Sequence, residues 1–385
     1  MINNSREIRL FKPAVGSKEI QAIKKTFKKS WLGYGPLVNK FEYKFSKFIG
    51  TKYAVAVNSC TAALHISLAV NNFKKGTKVL VPAITFSATA AAVLYCDLIP
   101  VFVDVETDSL NMSFEDLKNK YTKDCVAIIP VHFGGHPCKM EKIIPWAKKR
   151  NLLVIEDCAE TCGSFYKGKK LGTWGDYGCF SFEEKKIMTT GDGGMVCTNQ
   201  KINVESLKSI RFHGWNRDSW QRHIQNTGKK NINKKHWNYE IVQLGFKYNM
   251  NDLTASIGLE QLKKINLFNK QRSNIIKRYL SGIRDLKNIY PTFSYLTTKS
   301  SYWIFSIRCK KRDELIKFLK SKKIFTSVHL MPLPLHSFYK KYKTNIPNAI
   351  HVWKELVSLP FYSDLKNNEI SYIIKALREF DDNFF

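Results

Sequence analysis

The sequence contains no CxxC pair, no apolar run approaching the roughly 18 residues of a membrane span, and no low-complexity arm of either charge. Acidic residues are scarce, with 32 Asp and Glu against 62 Lys and Arg, a formal net charge of +30. Each shortage excludes something. Nine cysteines without paired spacing lie inside apolar runs such as VLYCDL, GCFSF and GMVCT, the placing of reduced intracellular thiols, and no metal site is expected. The start MINNSREIRLFKP has no apolar h-region, so the expectation is a soluble, cytoplasmic protein with no membrane contact. The basic excess consists mostly of lysines scattered among Asn and Ile, and no DNA-reading motif accompanies it. It reads mainly as solvated surface, with a share available to an anionic small molecule, and no nucleic-acid partner is expected.

What is present is enough apolar material for large cores, 44% hydrophobic and 13% aromatic residues over 385 positions, a length that favours two domains. Seven short β-branched runs follow one another, starting at Tyr53, Lys78, Pro100, Cys125, Leu152, Gly178 and Gly194. Segments with helical apolar spacing separate most of them, for instance 61–71 and 140–150, which predicts an α/β domain with a seven-stranded, mostly parallel sheet. Residues 211–242 show no clean period and predict a long loop. A helix is expected from Asn251 to about Leu286. After it come a strand (SYWIFSIR), a helix (RDELIKFLKSK), a strand (IFTSVHL) and a final amphipathic helix, a smaller α+β layer. The expected domains are 1–250 and 251–385.

Four segments carry chemistry. In SFEEKKIMTTGDGG, two lysines occupy a turn after a strand, where partial desolvation favours a nucleophilic amine, although a solvated basic turn reads the same way. In VIEDCAET, acidic residues end a buried strand, placed either to pair with a protonated pyridine nitrogen or to cap a helix. Ser59, Cys60 and Thr61 open a helix after a strand, as phosphate sites and ordinary caps both do. Phe86 follows another strand, as a stacking ring or as core.

Taken in order, WLGYGP, NSCTAALH, VPAITFSATA, VIEDCAET, SFEEKKIMTTGDGG, LGFKYNMNDLTASIGLEQL and TSVHLMPLPLH resemble the DegT/StrS family of pyridoxal-phosphate (PLP) aminotransferases acting on nucleotide-linked keto sugars, from about Ile8 to Phe380. The resemblance implies a fold type I PLP-transferase and a homodimer with active sites at the subunit interface. Its SFxxxK motif makes Lys186, rather than Lys185, the amine that holds the cofactor, with Asp157 on the pyridine nitrogen and Phe86 on the ring. Ser181, Cys60, Thr61 and Ala62 would hold the phosphate, and Glu160 would stand near the phenolic oxygen. Lys247 stands where relatives carry a cross-subunit asparagine, with Asn249 two residues on; Cys60 replaces a usual glycine, and Pro334 a frequent histidine. Relatives that dehydrate rather than transaminate carry histidine at the lysine position, so Lys186 favours transamination. The implied reaction moves an amino group from glutamate to C4 of a nucleotide-linked 4-keto-6-deoxy sugar, for amino-sugar and polysaccharide biosynthesis. The alternatives are a C3-keto sugar or a non-catalytic regulatory member.

Overall fold

All seven apolar runs of the first half become strands of one sheet in the computed structural model, which describes residues 7–227, 238–293 and 300–384. They are β1 (Tyr53–Val57), β2 (Lys78–Pro82), β3 (Ile99–Val103), β4 (Cys125–Ile128), β5 (Leu153–Asp157), β8 (Tyr177–Ser181) and β9 (Gly194–Thr198); a small hairpin of β6 (Phe165–Tyr166) and β7 (Lys169–Lys170) lies between β5 and β8. The strand order is β1-β9-β8-β5-β4-β2-β3. Only β9 runs antiparallel to its neighbours within this sheet, so the other six strands end on the same side. Helices cover both faces, which is why these strands read as nearly continuous apolar runs rather than alternating ones.

β1 is an edge strand, and its open backbone groups are met by a buried ion pair. The Glu42 carboxylate accepts the Ala56 N–H at 2.8 Å, and Arg211 donates to the Ala56 carbonyl at 2.7 Å and to the Tyr34 hydroxyl at 2.9 Å. Arg211 also contacts Glu42 directly and is 2% exposed. The helix Asp252–Ile283 begins at the N-cap Asn251, whose side chain accepts the Thr254 N–H at 2.9 Å. Asp252 reaches back to the Val38 N–H at 2.9 Å. That contact places it against the WLGYGP turn, where a Cβ on Gly35 would lie 2.7 Å from the Asp252 carboxylate.

Several expectations need correction. The predicted loop 211–242 contains a helix, Ser219–Thr227, and begins with the buried Arg211; its residues 228–237 lie outside the described residues. The second sheet is β10 (Ile289–Pro291), β11 (Phe305–Cys309) and β12 (Leu356–Leu359), all antiparallel. β11 starts four residues later than the predicted run. Residues 324–330, predicted as a strand, make only isolated bridges, Ile8 to Ile324 and Ser327 to Ser358; β12 takes the place beside β11. Helices Ser17–Lys28 and Pro36–Ile49, which pack on the long helix, had not been expected. In the first of them the buried positions are Glu19 and Thr26, while Ile20 and Phe27 of its apolar face are exposed. Among the described residues no helix is long and apolar enough to cross a membrane. We propose the domain division at about residue 250, just before the long helix.

Removing one partner of a buried ion pair strands the other charge away from water. Arg211→Met should therefore lower stability by about 3–5 kcal/mol, read from urea unfolding. A loss below about 1 kcal/mol would show that Glu42 and the β1 edge are served by water instead.

Candidate functional site

The parallel strands deliver their following loops to one side of the sheet, where a cavity of about 390 Å³ opens. Ser59, Cys60 and Thr61 come from the end of β1, Thr85 and Phe86 from β2, Asp157 and Glu160 from β5, and Ser181, Lys185 and Lys186 from β8; all line it. Side chains alternate along a strand, so the neighbouring acids of β5 part company. Asp157 faces the cavity. Glu156 faces away, accepting N–H bonds from Gly172, Trp174 and Gly175 at 2.7–2.9 Å and one from His132 Nε2 at 3.0 Å. His132 Nδ1 accepts the Cys138 N–H at 3.1 Å. These bonds satisfy His132 and Glu156, which with Cys158 have ligand atoms within 4.8 Å of one another, without an ion.

Asp157 is buried, its carboxylate accepting the Thr89 hydroxyl at 2.8 Å and the Ala159 N–H at 3.1 Å. Thr85 lies 2.7 Å from Thr89, completing a hydroxyl chain. Burial pushes the Asp157 carboxyl up from its ordinary value, against the pull of the Ala159 and Thr89 bonds and the charge of Lys186. Glu160 accepts the Gly134 N–H at 2.5 Å and is pushed up to about 7, chiefly by burial, with Lys186 pulling the other way. Phe86 caps the helix Ser87–Leu94 from outside and leaves 65% of its surface open, an unusual exposure for phenylalanine beside a cavity. At the helix Cys60–Ala69 the Ser59 hydroxyl accepts the Ala62 N–H at 3.1 Å, so Ala62 is engaged by the cap and does not line the cavity. β9 passes directly beneath that helix start: a Cβ on Gly194 would lie 2.4 Å from the Ser59 carbonyl oxygen.

Lys247 and Asn249 lie outside the cavity lining, bonded to each other at 2.8 Å, with Lys247 Nζ 4.7 Å from the Phe212 ring centroid. Their segment is held to the sheet edge by the Asn58 N–H, which donates to the Tyr248 carbonyl at 2.7 Å. Among the contributors that escaped the reading of the sequence are Thr89, Trp303 and His329. Thr89 lies one helical turn beyond Phe86 in a segment already singled out, so a signal for it existed. Trp303 and His329 arrive from the second half of the chain, and only the fold brings them to the cavity. His329 is held down to about 4 by burial and by Lys186 and Lys185, and is therefore a neutral imidazole at pH 7.

The donor set fits PLP. A buried carboxylate made costly by burial matches a cationic ring nitrogen, an exposed phenyl face matches a flat ring, and a helix start beside the Ser181 hydroxyl matches a phosphate.

Comparison with known proteins agrees. The profile of the DegT/DnrJ/EryC1/StrS aminotransferase family matches residues 13–378. The spore coat polysaccharide biosynthesis protein SpsC of Bacillus subtilis is 34% identical over 378 residues, 95% of each chain. The GDP-perosamine synthase of Escherichia coli O157:H7 is 33% identical over 382 residues, 97% of this chain and 98% of that one. Among solved structures, the putative sugar aminotransferase Spr1654 from Streptococcus pneumoniae, in its PMP form, superposes with a TM-score of 0.90 at 27% identity, over 98% of this chain and 100% of the other; its PLP form gives 0.88. The chain belongs to the DegT/DnrJ/EryC1/StrS aminotransferase family and has the fold type I architecture.

Glu160 supplies a pH test. Between 4.5, its ordinary value, and about 7, the folded protein holds a proton that the unfolded chain has released, so stability falls as pH rises through that window. Glu160→Gln keeps an acceptor for Gly134. It should flatten the fall and stabilise the cofactor-free protein at pH 8 by about 1–3 kcal/mol. Thermal melts across pH 4–9 read this directly; a variant no more stable than wild type at pH 8 would mean that ionised Glu160 is solvated.

Proposed function

We propose that this chain, by family a PLP-dependent sugar aminotransferase, moves an amino group from glutamate to C4 of a nucleotide-linked 4-keto-6-deoxy sugar, as a cytoplasmic homodimer. The observation that carries this reading is the convergence of Asp157, Phe86, Ser181, Cys60, Thr61 and Lys186 on one cavity from four separate strand ends. The relative named for GDP-perosamine synthesis supports a nucleotide-linked sugar. The preference for C4 rests on the segment RFHGWNRD, which resembles members acting at that carbon.

In this reading each side chain has a separate task. When bound, PLP carries the amino group between donor and acceptor and takes up the electron pair of the broken C–H bond. Asp157 keeps the ring nitrogen protonated, and the Thr89 and Ala159 bonds keep Asp157 oriented. Phe86 excludes water from one face of the ring. Ser181 and the Cys60 and Thr61 amides hold the phosphate. Glu160 stands near the phenolic oxygen. Lys186 anchors the cofactor and, once free, moves the proton between carbon and nitrogen as general acid and base.

Lys186→Ala should abolish turnover and covalent retention of PLP, whereas Lys185→Ala keeps both. The reverse pattern would put the assignment wrong by one residue. Incubating the holoenzyme with glutamate and UDP-, dTDP- and GDP-linked keto sugars, followed by NMR of the product, should show the new amine at C4. Amination at C3 would overturn the position alone, and PLP-loaded protein inert towards every sugar would favour the non-catalytic reading.

The site is completed by a second copy of the chain, with Lys247 reaching the neighbouring phosphate or diphosphate as a point charge. Lys247 does not line its own chain's cavity, which leaves it available for this. Mixing Lys186→Ala with Lys247→Ala under subunit exchange should restore activity, because one site per mixed dimer carries neither defect. A fully active Lys247→Ala parent, or two inactive parents that never complement, would refute the shared site.

A further inference from the structure

The turn after β8 offers two adjacent amines, and both Lys185 and Lys186 line the cavity. Something in the fold must decide which of them reacts. Trp303, from the segment leading into β11, touches both residues. Its indole Nε1–H donates to the Lys185 carbonyl at 3.0 Å, and its ring lies under Lys186 Nζ, 3.9 Å from the centroid. The first contact fixes the peptide between the two lysines, and with it the direction in which Lys186 leaves the turn. The second provides a flat, electron-rich seat for the Lys186 amine at cation–π distance. Lys185 is drawn the other way. Its N–H donates to the Glu183 carboxylate at 3.0 Å, its Nζ lies 3.9 Å from the same carboxylate, and half of its side chain is exposed.

The indole is itself held on several sides. Its backbone N–H donates to the Gly134 carbonyl at 2.9 Å, and Gly134 in turn donates to Glu160. Its carbonyl accepts from the buried Arg272 at 3.2 Å, and its ring stacks on Phe11 at 5.3 Å with a 13° interplanar angle. A ring so fixed is a template, because it cannot follow whichever lysine happens to swing in.

We infer that Trp303 is the positioning residue that selects Lys186 over Lys185 as the reacting amine, by clamping the Lys185 carbonyl and seating the Lys186 amine on its indole face. The inference rests on the reading of the cavity as a PLP site, and its test separates the two. Cofactor-free wild type, W303F and W303L are exposed to PLP for graded times, trapped by borohydride reduction and peptide-mapped, so that the label is counted on each lysine without any need for turnover. Wild type should carry the label on Lys186. W303L loses both the clamp and the seat, and its trapping rate at Lys186 should fall about 3- to 30-fold while the share on Lys185 rises. W303F keeps a flat ring and loses only the N–H donor, so an intermediate loss of about 2- to 10-fold is expected, again with label appearing on Lys185. Should W303L fail the circular-dichroism check for folding, W303F decides alone. Variants that label Lys186 at the wild-type rate, or that slow with an unchanged ratio between the two lysines, overturn the inference and leave the PLP reading standing. Wild-type label on Lys185 overturns the inference and moves the anchoring amine by one residue, whereas wild type that takes no label on either lysine overturns the PLP reading.

Discussion

The structure is organised around one costly object, the Asp157 carboxylate held away from water at the end of β5. An isolated buried charge is among the most expensive things a protein can contain, and here burial already pushes the group toward its neutral form. The surroundings reduce that cost in part. The Thr85–Thr89 hydroxyl chain and the Ala159 amide give Asp157 oriented donors, and Lys186 gives it a charge across the cavity. What remains is a buried carboxylate with oriented donors on one side and the open cavity on the other. Phe86, the helix start at Cys60 and the turn at Lys186 surround that carboxylate because parallel strands end on one side of the sheet.

A second constraint acts at the sheet edge. β1 must present the Ser59–Thr61 turn to the cavity at its end, yet an edge strand has unpaired backbone groups along one side. Glu42 and Arg211 take up both groups of Ala56, and the segment around Tyr248 takes up the Asn58 N–H. Arg211 also accepts, through its own carbonyl, the Tyr248 N–H at 2.9 Å. One buried arginine thus ties together the WLGYGP turn, the RFHGWNRD segment and the strand that leads to Cys60. These three motifs lie far apart in the chain, and the ion pair holds them together along the β1 edge.

How much could be read in advance follows from where the information lies. Seven strands were legible because a strand buried on both faces needs a continuous apolar run, and little else in the first half has one. Glu156 and Asp157 could not be told apart by composition, since the alternation that sends one to the cavity and the other to His132 depends on the sheet's register. Lys185 and Lys186 were separable only through the resemblance, because the residues that distinguish them, Glu183 and Trp303, act through folded geometry. The second sheet was partly misread. Residues 324–330 carry the β-branched and aromatic residues of a strand, but β12 occupies the side of β11 not taken by β10.

The charged side chains of the cavity do not follow the basic character of the chain. Two lysines, Lys185 and Lys186, share the lining with Asp157, Glu160, Glu183 and Asp192, while His329 is kept neutral by burial and by those same lysines. The excess of +30 over the whole chain is therefore not mirrored in the charged side chains of the cavity lining. Burial moves Glu160 toward neutrality and removes part of the imbalance, and the helix start at Cys60 adds uncharged N–H donors at the cavity. Beyond that, the lining still holds more carboxyls than amines. Lys247 lies outside that lining, over the Phe212 ring and bonded to the Asn249 side chain.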